Sequence, residues 1–259
     1  MDPNLLIGLG SLVFTIIGSV AAVLAIRRNT GSVEIPGTVD PAPAFRLLGR
    51  RVPRAHRDVL QILSRFIFVS HHGRVTVGAL DQFEISLFLD LFSACTFARY
   101  RRSLASVMAR HIRSITRAEK PVLIAVPKEG NVLLADAVAR KLRIGLIVVR
   151  TLVPAIRFGD PVEGKIAAGS CVIIVDDIAS DGELLVRTAG HVRSHGGRVS
   201  LCLCMVERMD GNSRERLAVH DVRLYAPIRL NEGTLRELAQ LPRRHEGYGV
   251  RYPSGSSTE

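Results

Sequence analysis

The stretch Cys171-Val172-Ile173-Ile174-Val175-Asp176-Asp177-Ile178-Ala179-Ser180-Asp181-Gly182-Glu183 decides how this chain is read. An uncharged apolar run ends in two adjacent carboxylates, a short polar loop with one glycine follows, and a helix-like segment begins at Leu184. Strand, acid pair, loop and helix start is the layout of a ligand site in an α/β fold. Open parallel sheets bind their ligands outside the carboxyl ends of the strands. Free backbone N–H groups at the start of the next helix favour a phosphate. Two neighbouring carboxylates can hold ribose hydroxyls or a magnesium ion, which takes oxygen ligands. The competing reading is a sheet-edge turn with two solvated aspartates, because short motifs also arise by chance.

Working outward, Pro121-Val122-Leu123-Ile124-Ala125-Val126 reads as a buried strand. Pro127-Lys128-Glu129-Gly130-Asn131 is its turn, and Val132 to Leu142 follows with helical spacing. Strands are expected at 121–126, 145–150, 171–176, 198–206 and 222–226, with helices over 131–142 and 183–195. Alternation of this kind implies an α/β fold, a parallel sheet flanked by helices. Gly196-Gly197 closes the second helix where a glycine is favoured. Residues 55–117 supply further helix and a candidate hood. The sequence holds no internal repeat.

The 171–183 stretch resembles the phosphoribosyl pyrophosphate (PRPP) signature of the type I phosphoribosyltransferases. Asp176 and Asp177 match that family's acid pair, Ser180 keeps the hydroxyl of its first loop Thr, and Gly182 matches its loop glycine. The 127–131 turn is similar to the family's pyrophosphate loop, and 162–169 resembles the turn before the signature strand. Ile147-Val148-Val149-Arg150, Val206-Glu207-Arg208-Met209-Asp210-Gly211 and the segment from Leu217 to Tyr225 resemble orotate phosphoribosyltransferases. Ile85-Ser86-Leu87-Phe88-Leu89-Asp90 is weakly similar to a strand of their base-binding hood. The resemblance runs from about Phe83 to Leu241.

That resemblance implies roles. Asp176 and Asp177 would be the catalytic and Mg2+-binding pair, holding the ribose hydroxyls. Ser180, Asp181, Gly182, Glu183 and Leu184 would face the 5-phosphate. Lys128, Glu129, Gly130 and Asn131 would face pyrophosphate, and Arg157 lies in the mobile-loop position. The ligands would be PRPP and a nucleobase-like small molecule. Three departures bear on activity. Asp181 and Glu183 bring carboxylates to a phosphate loop, and Thr151 stands where the orotate enzymes carry a Lys. The loop after it has no Lys before Lys165. The expected function is phosphoribosyl transfer to an orotate-like base. The alternative is a non-catalytic PRPP or nucleotide sensor at the membrane, and a scaffold with a dead site stands behind both.

The chain has 259 residues, 47% of them hydrophobic, which suffices for one core plus extra segments. A net charge of +11 permits polyphosphate, anionic lipid or nucleic acid as partners. Scarce aromatics and the absence of Trp argue against stacking platforms for single strands, and no specific nucleic-acid partner is expected. The four Cys show no metal spacing. Cys202 and Cys204 alternate in an apolar run and should share one face of a strand as core thiols. His71-His72 read as surface residues. No P-loop or HExxH pattern is present.

Leu5 to Ile26 is uncharged and long enough to span a bilayer, and Arg27-Arg28 follow directly. A single-pass anchor over 1–28, with the main domain cytoplasmic, follows from the positive-inside rule. The rival is a cleaved signal peptide ending near Ser19-Val20-Ala21. Residues 29–54 form a linker and basic juxtamembrane segment, in which Arg46, Arg50, Arg51, Arg54 and, just beyond it, Arg57 can meet membrane lipid headgroups. Residues 55–242 form the main domain, for which a homodimer is an expectation. The tail, 243–259, is polar and rich in Gly and Ser, the composition of a disordered segment.

Overall fold

The computed structural model describes residues 54–69, 75–77, 83–85, 87–116, 119–151 and 159–239. In chain order they form α1 (Arg54–Arg65), β1 (Ile67–Val69), β2 (Val75–Val77), β3 (Phe83–Ile85), β4 (Leu87–Leu89), α2 (Leu91–Thr96) and α3 (Ala98–Ile115). Then come β5 (Leu123–Pro127), α4 (Val132–Leu142), β6 (Gly145–Val149), β7 (Val162–Glu163), β8 (Cys171–Ala179) and α5 (Glu183–Ser194). The last elements are β9 (Arg198–Arg208), α6 (Ser213–Val219), β10 (Arg223–Tyr225), β11 (Ile228–Leu230) and α7 (Glu232–Ala239).

The main sheet has seven strands in the order β10-β9-β8-β5-β6-β7, with β11 also pairing β9. Every pairing is parallel except β6 with β7. The strands are near-continuous apolar runs because both faces of this sheet are covered. Ala125, Ile147, Ile174, Cys202 and Cys204 pack in one cluster with Leu185, Ala189 and Val192 of α5. Residues of the opposite phase, among them Ile124, Ile173, Val175, Leu203 and Met205, are equally buried. Cys202 and Cys204 thus share a face as expected, with their Sγ atoms 3.8 Å apart.

The expected α/β core is present with two extensions. The acid pair does not end its strand: β8 continues to Ala179, because Ile178 and Ala179 still pair with Val206 and Glu207. Likewise β9 runs on to Arg208, held by β11. The region before the core is a hood of two small antiparallel pairs, β1 with β4 and β2 with β3. Asp90 starts α2 by accepting from the Ser93 N–H at 2.8 Å, the usual way a helix start satisfies a free donor. The expected helix closure holds, with Gly196 at φ 82° after α5.

Among the described residues no helix is long and apolar enough to cross a membrane. The expected anchor over 1–28, the linker to residue 53, His71-His72, Arg157 and the tail lie outside the described residues.

Candidate functional site

The site forms where the sheet order reverses. After β5 the chain adds β6 on one side, then crosses to add β8 and β9 on the other. The crevice between β5 and β8 is therefore the topological switch point, where α/β sheets take their ligands. On the β5 side, β8 is paired only from Val172 to Ile174, so Asp176 and Asp177 stand beyond that pairing.

Asn131 closes the crevice. Its backbone N–H donates to Asp176 Oδ1 at 3.1 Å, and its Nδ2 donates to Asp177 Oδ2 at 3.0 Å. Its Oδ1 accepts from the Leu134 N–H at 3.0 Å and caps α4. Asn131 is 1% exposed with these groups engaged inside the protein. Through these bonds it positions the acid pair. Gly130 is required by the same approach, since a Cβ there would lie 2.4 Å from Asp176 Oδ1. Lys128 is exposed, and its backbone N–H donates to the Val149 carbonyl at 2.8 Å. Glu129 Oε2 accepts from Thr151 Oγ1 at 2.6 Å. The residue that replaces the orotate enzymes' Lys is thus tied to the other loop of the site.

Burial raises the pKa of Asp176, and the neighbouring Asp177 charge adds to it; the Asn131 and Asp177 N–H groups oppose both. Asp177 is raised as well, chiefly by burial. Two carboxylates that repel each other in a shielded place favour a cation or hydroxyl donors. Cys95 of α2 is buried close by, and its thiol is pushed up to about 12 by burial and by the Asp177 charge.

The loop after β8 is built against α6. Gly182 has φ 80°, and a Cβ there would lie 2.9 Å from Ser213 Cα. The Ser213 N–H donates to the Ser180 carbonyl at 3.2 Å. Ser213 Oγ is buried with no hydrogen-bond partner among the described residues. Asp181 Oδ1 accepts from the Glu183 N–H at 3.3 Å, so this carboxylate occupies one of the loop donors. Glu183 does not stand as a bare negative charge. Its Oε1 accepts from Arg187 Nε at 2.9 Å and its Oε2 from Arg216 Nη1 at 2.7 Å. Arg216 and Ser213 had no signal in sequence, because each meets the loop only through the fold.

Beside this loop, Glu207 is buried at the end of β9 between Arg214 and Arg229, whose Nε atoms each donate at 3.0 Å. Arg208 joins Asp210 at 2.5 Å and the Leu87 carbonyl of the hood at 3.3 Å. The 206–211 segment thus ties the hood to the sheet.

The parallel sheet flanked by helices is the fold of solved phosphoribosyltransferases. The solved structures agree: orotate phosphoribosyltransferase of Aeropyrum pernix has a TM-score of 0.57 at 21% identity, over 70% of this chain and 98% of that one. The Mycobacterium tuberculosis orotate enzyme in complex with PRPP has a TM-score of 0.51 at 20% identity, over 70% of this chain and 99% of that one. In sequence, the orotate phosphoribosyltransferase of Methanocaldococcus jannaschii is 24% identical over 145 residues, covering 56% of this chain and 79% of its own length. That of Halobacterium salinarum is 30% identical over 112 residues, covering 43% of this chain and 63% of its own. No family model matches. The chain is similar in sequence and in fold to type I phosphoribosyltransferases, the orotate phosphoribosyltransferases among them.

Proposed function

We propose that this chain is a transferase that moves a phosphoribosyl group from PRPP to an orotate-like nitrogenous base. The observation that carries the reading is the acid pair, Asp176 buried and Asp177 half-buried, held by Asn131 across the switch point. Asp176 and Asp177 hold the ribose hydroxyls, and the carboxylate oxygens that Asn131 leaves free suit Mg2+. Among the described residues no third His, Cys, Asp or Glu joins them. A bound ion would therefore draw its other oxygens from ligand and water. Magnesium supplies positive charge that eases the departure of pyrophosphate.

The backbone N–H groups of the 180–184 loop take the 5-phosphate, and Lys128 with the 128–131 turn faces pyrophosphate. A base nitrogen that has lost its proton to solvent then bonds to the anomeric carbon as the carbon's bond to the pyrophosphate oxygen breaks, and that electron pair leaves with pyrophosphate. The chain contributes positioning and charge stabilisation. Arg157 is assigned to substrate binding by resemblance alone, and an anchor over 1–28 keeps the domain at the cytoplasmic face of a membrane.

One observation favours the second reading, a PRPP or nucleotide sensor: Thr151 replaces a Lys and is bonded to Glu129. Turnover of isotope-labelled PRPP with a panel of bases separates the two. The transferase predicts labelled nucleotide, lost in Asp176→Asn/Asp177→Asn. Magnesium-dependent PRPP binding with no product from any base makes the chain a sensor. PRPP binding unchanged by the double substitution removes both readings.

A further inference from the structure

The exposed side of α3 carries charge that the site does not use. No Asp or Glu occurs between Asp90 and Glu119, while that interval holds six Arg: Arg99, Arg101, Arg102, Arg110, Arg113 and Arg117. Arg101 turns inward and donates to the Cys95 carbonyl at 2.7 Å. Arg99, Arg102, Arg110 and Arg113 are exposed. At 100° per residue they fall with Ser106 inside an arc of roughly 80°, along about 21 Å of helix. The result is a straight stripe with close to one cation per turn.

Arg102, Arg110 and Arg113 meet no carboxylate among the described residues. Arg110 and Arg113 line a cavity of about 380 Å³ with Ser106, Ala109 and Lys141 of α4. Arg113 Nη2 donates to the Lys141 carbonyl at 2.5 Å, which fixes its guanidinium at the rim. Three cations thus converge on one opening, and guanidinium groups match phosphate oxygens in pairs.

We propose that the α3 stripe and its cavity are a docking surface for anionic phospholipid headgroups. A flat row of cations, with no aromatic residue on the row beyond Tyr100 at its end, fits a planar anionic surface. A second copy of this chain does not fit, because an isologous contact would set arginine against arginine. Lipid is favoured over nucleic acid by the apolar 5–26 segment and the arginines at 46, 50, 51, 54 and 57. The inference rests in that respect on the membrane reading above, but the surface itself is independent of the catalytic crevice.

The absence of Trp gives a direct test, since Ser106→Trp places one fluorophore on the stripe of the full chain. Mix it with phosphatidylcholine vesicles, with and without phosphatidylglycerol, whose acyl chains are brominated near the headgroup. Quenching and a blue shift only with phosphatidylglycerol, reversed by high salt, are the expected result. Arg102→Gln/Arg110→Gln in the same background should raise the anionic lipid needed for half-quenching about twentyfold, while Arg113 keeps its bond to α4. Far-UV circular dichroism checks that the variants fold.

Equal response to neutral vesicles, or no change in the double variant, overturns the proposal. So does displacement of the vesicles by duplex DNA at lower phosphate concentration, which would assign the stripe to nucleic acid. Flotation of the full chain on neutral vesicles reads the anchor separately. Flotation with a silent Trp keeps the anchor and rejects the stripe; no flotation with a Trp response on anionic vesicles does the reverse.

Discussion

Glu183 sits in the loop expected to take a phosphate, and its effect turns on Arg216. Read without a fold, its carboxylate about 5 Å from a dianion costs on the order of 3 kcal/mol at an effective dielectric near 20. The structure changes that arithmetic, because Arg187 and Arg216 both pair with Glu183. The three groups together carry one positive charge. Glu183 and Arg216 are each about a quarter exposed, so solvent reduces any one charge to roughly 1.4 kcal/mol, a factor of ten. Arg216→Gln should therefore weaken phosphate binding about tenfold. Glu183→Thr should tighten it by a similar factor, because it removes a carboxylate from the loop and restores a hydroxyl. Losing the ion pairs costs the fold only about 0.5–1 kcal/mol. Calorimetry with ribose 5-phosphate, which has no pyrophosphate and needs no metal, isolates this subsite. The double variant should return near the parent affinity. If Arg216→Gln leaves affinity unchanged while Glu183→Thr raises it, Arg216 does not serve the loop and the charge balance argued here is wrong.

Two further outcomes follow from the acid pair. Gly130→Ala drives a Cβ against Asp176 Oδ1, 2.4 Å away, so PRPP affinity should fall at least tenfold and the melting temperature should drop; unaltered binding by calorimetry would show that the turn yields freely. For pH, Asp176 is raised to about 8 in the fold, so the native state holds more protons than the unfolded chain above the ordinary carboxylate range. Stability of the ligand-free protein should then decline as pH rises from about 5 toward 8, because the unfolded state has already lost those protons. Urea unfolding across that range checks the slope, which Asp176→Asn should flatten.

What was legible in the sequence was local. The apolar runs at 123–127, 145–149 and 171–175 have no charge to place, so they announce buried strands, and their alternation with helical spacing announces the layers. The acid pair was visible because carboxylates end such a run abruptly. The strand end was not, since Ile178 and Ala179 stay in the sheet only because β9 is long enough to pair them. Asn131 was legible as part of a turn, but its two bonds to Asp176 and Asp177 were not, because they cross 45 and 46 residues of chain. Arg216 meets Glu183 across 33 residues, beyond any spacing rule. The Thr151 bond to Glu129 likewise exists only once β5 and β6 lie side by side.

The departures from the phosphoribosyltransferase pattern have one property in common. Thr151 is bonded to Glu129, Asp181 accepts from the Glu183 N–H, and Glu183 pairs with Arg187 and Arg216. Each replacement is partnered inside the chain. A scaffold with a dead site would have no physical reason to keep the other half of the arrangement. A buried carboxylate beside a half-buried one costs stability, since desolvation and mutual repulsion both oppose their charged forms. Replacing them with Asn and Val would remove that cost. Instead Gly130 is left without a side chain and Asn131 is buried to hold both acids in one geometry. Local rules broken at one place, with support built around the break, are the pattern expected of a functional site. The scaffold reading is therefore the weakest of the three. The choice between transferase and sensor falls to Thr151: Thr151→Lys should increase turnover in a transferase limited by the missing cation, and should leave a sensor without product.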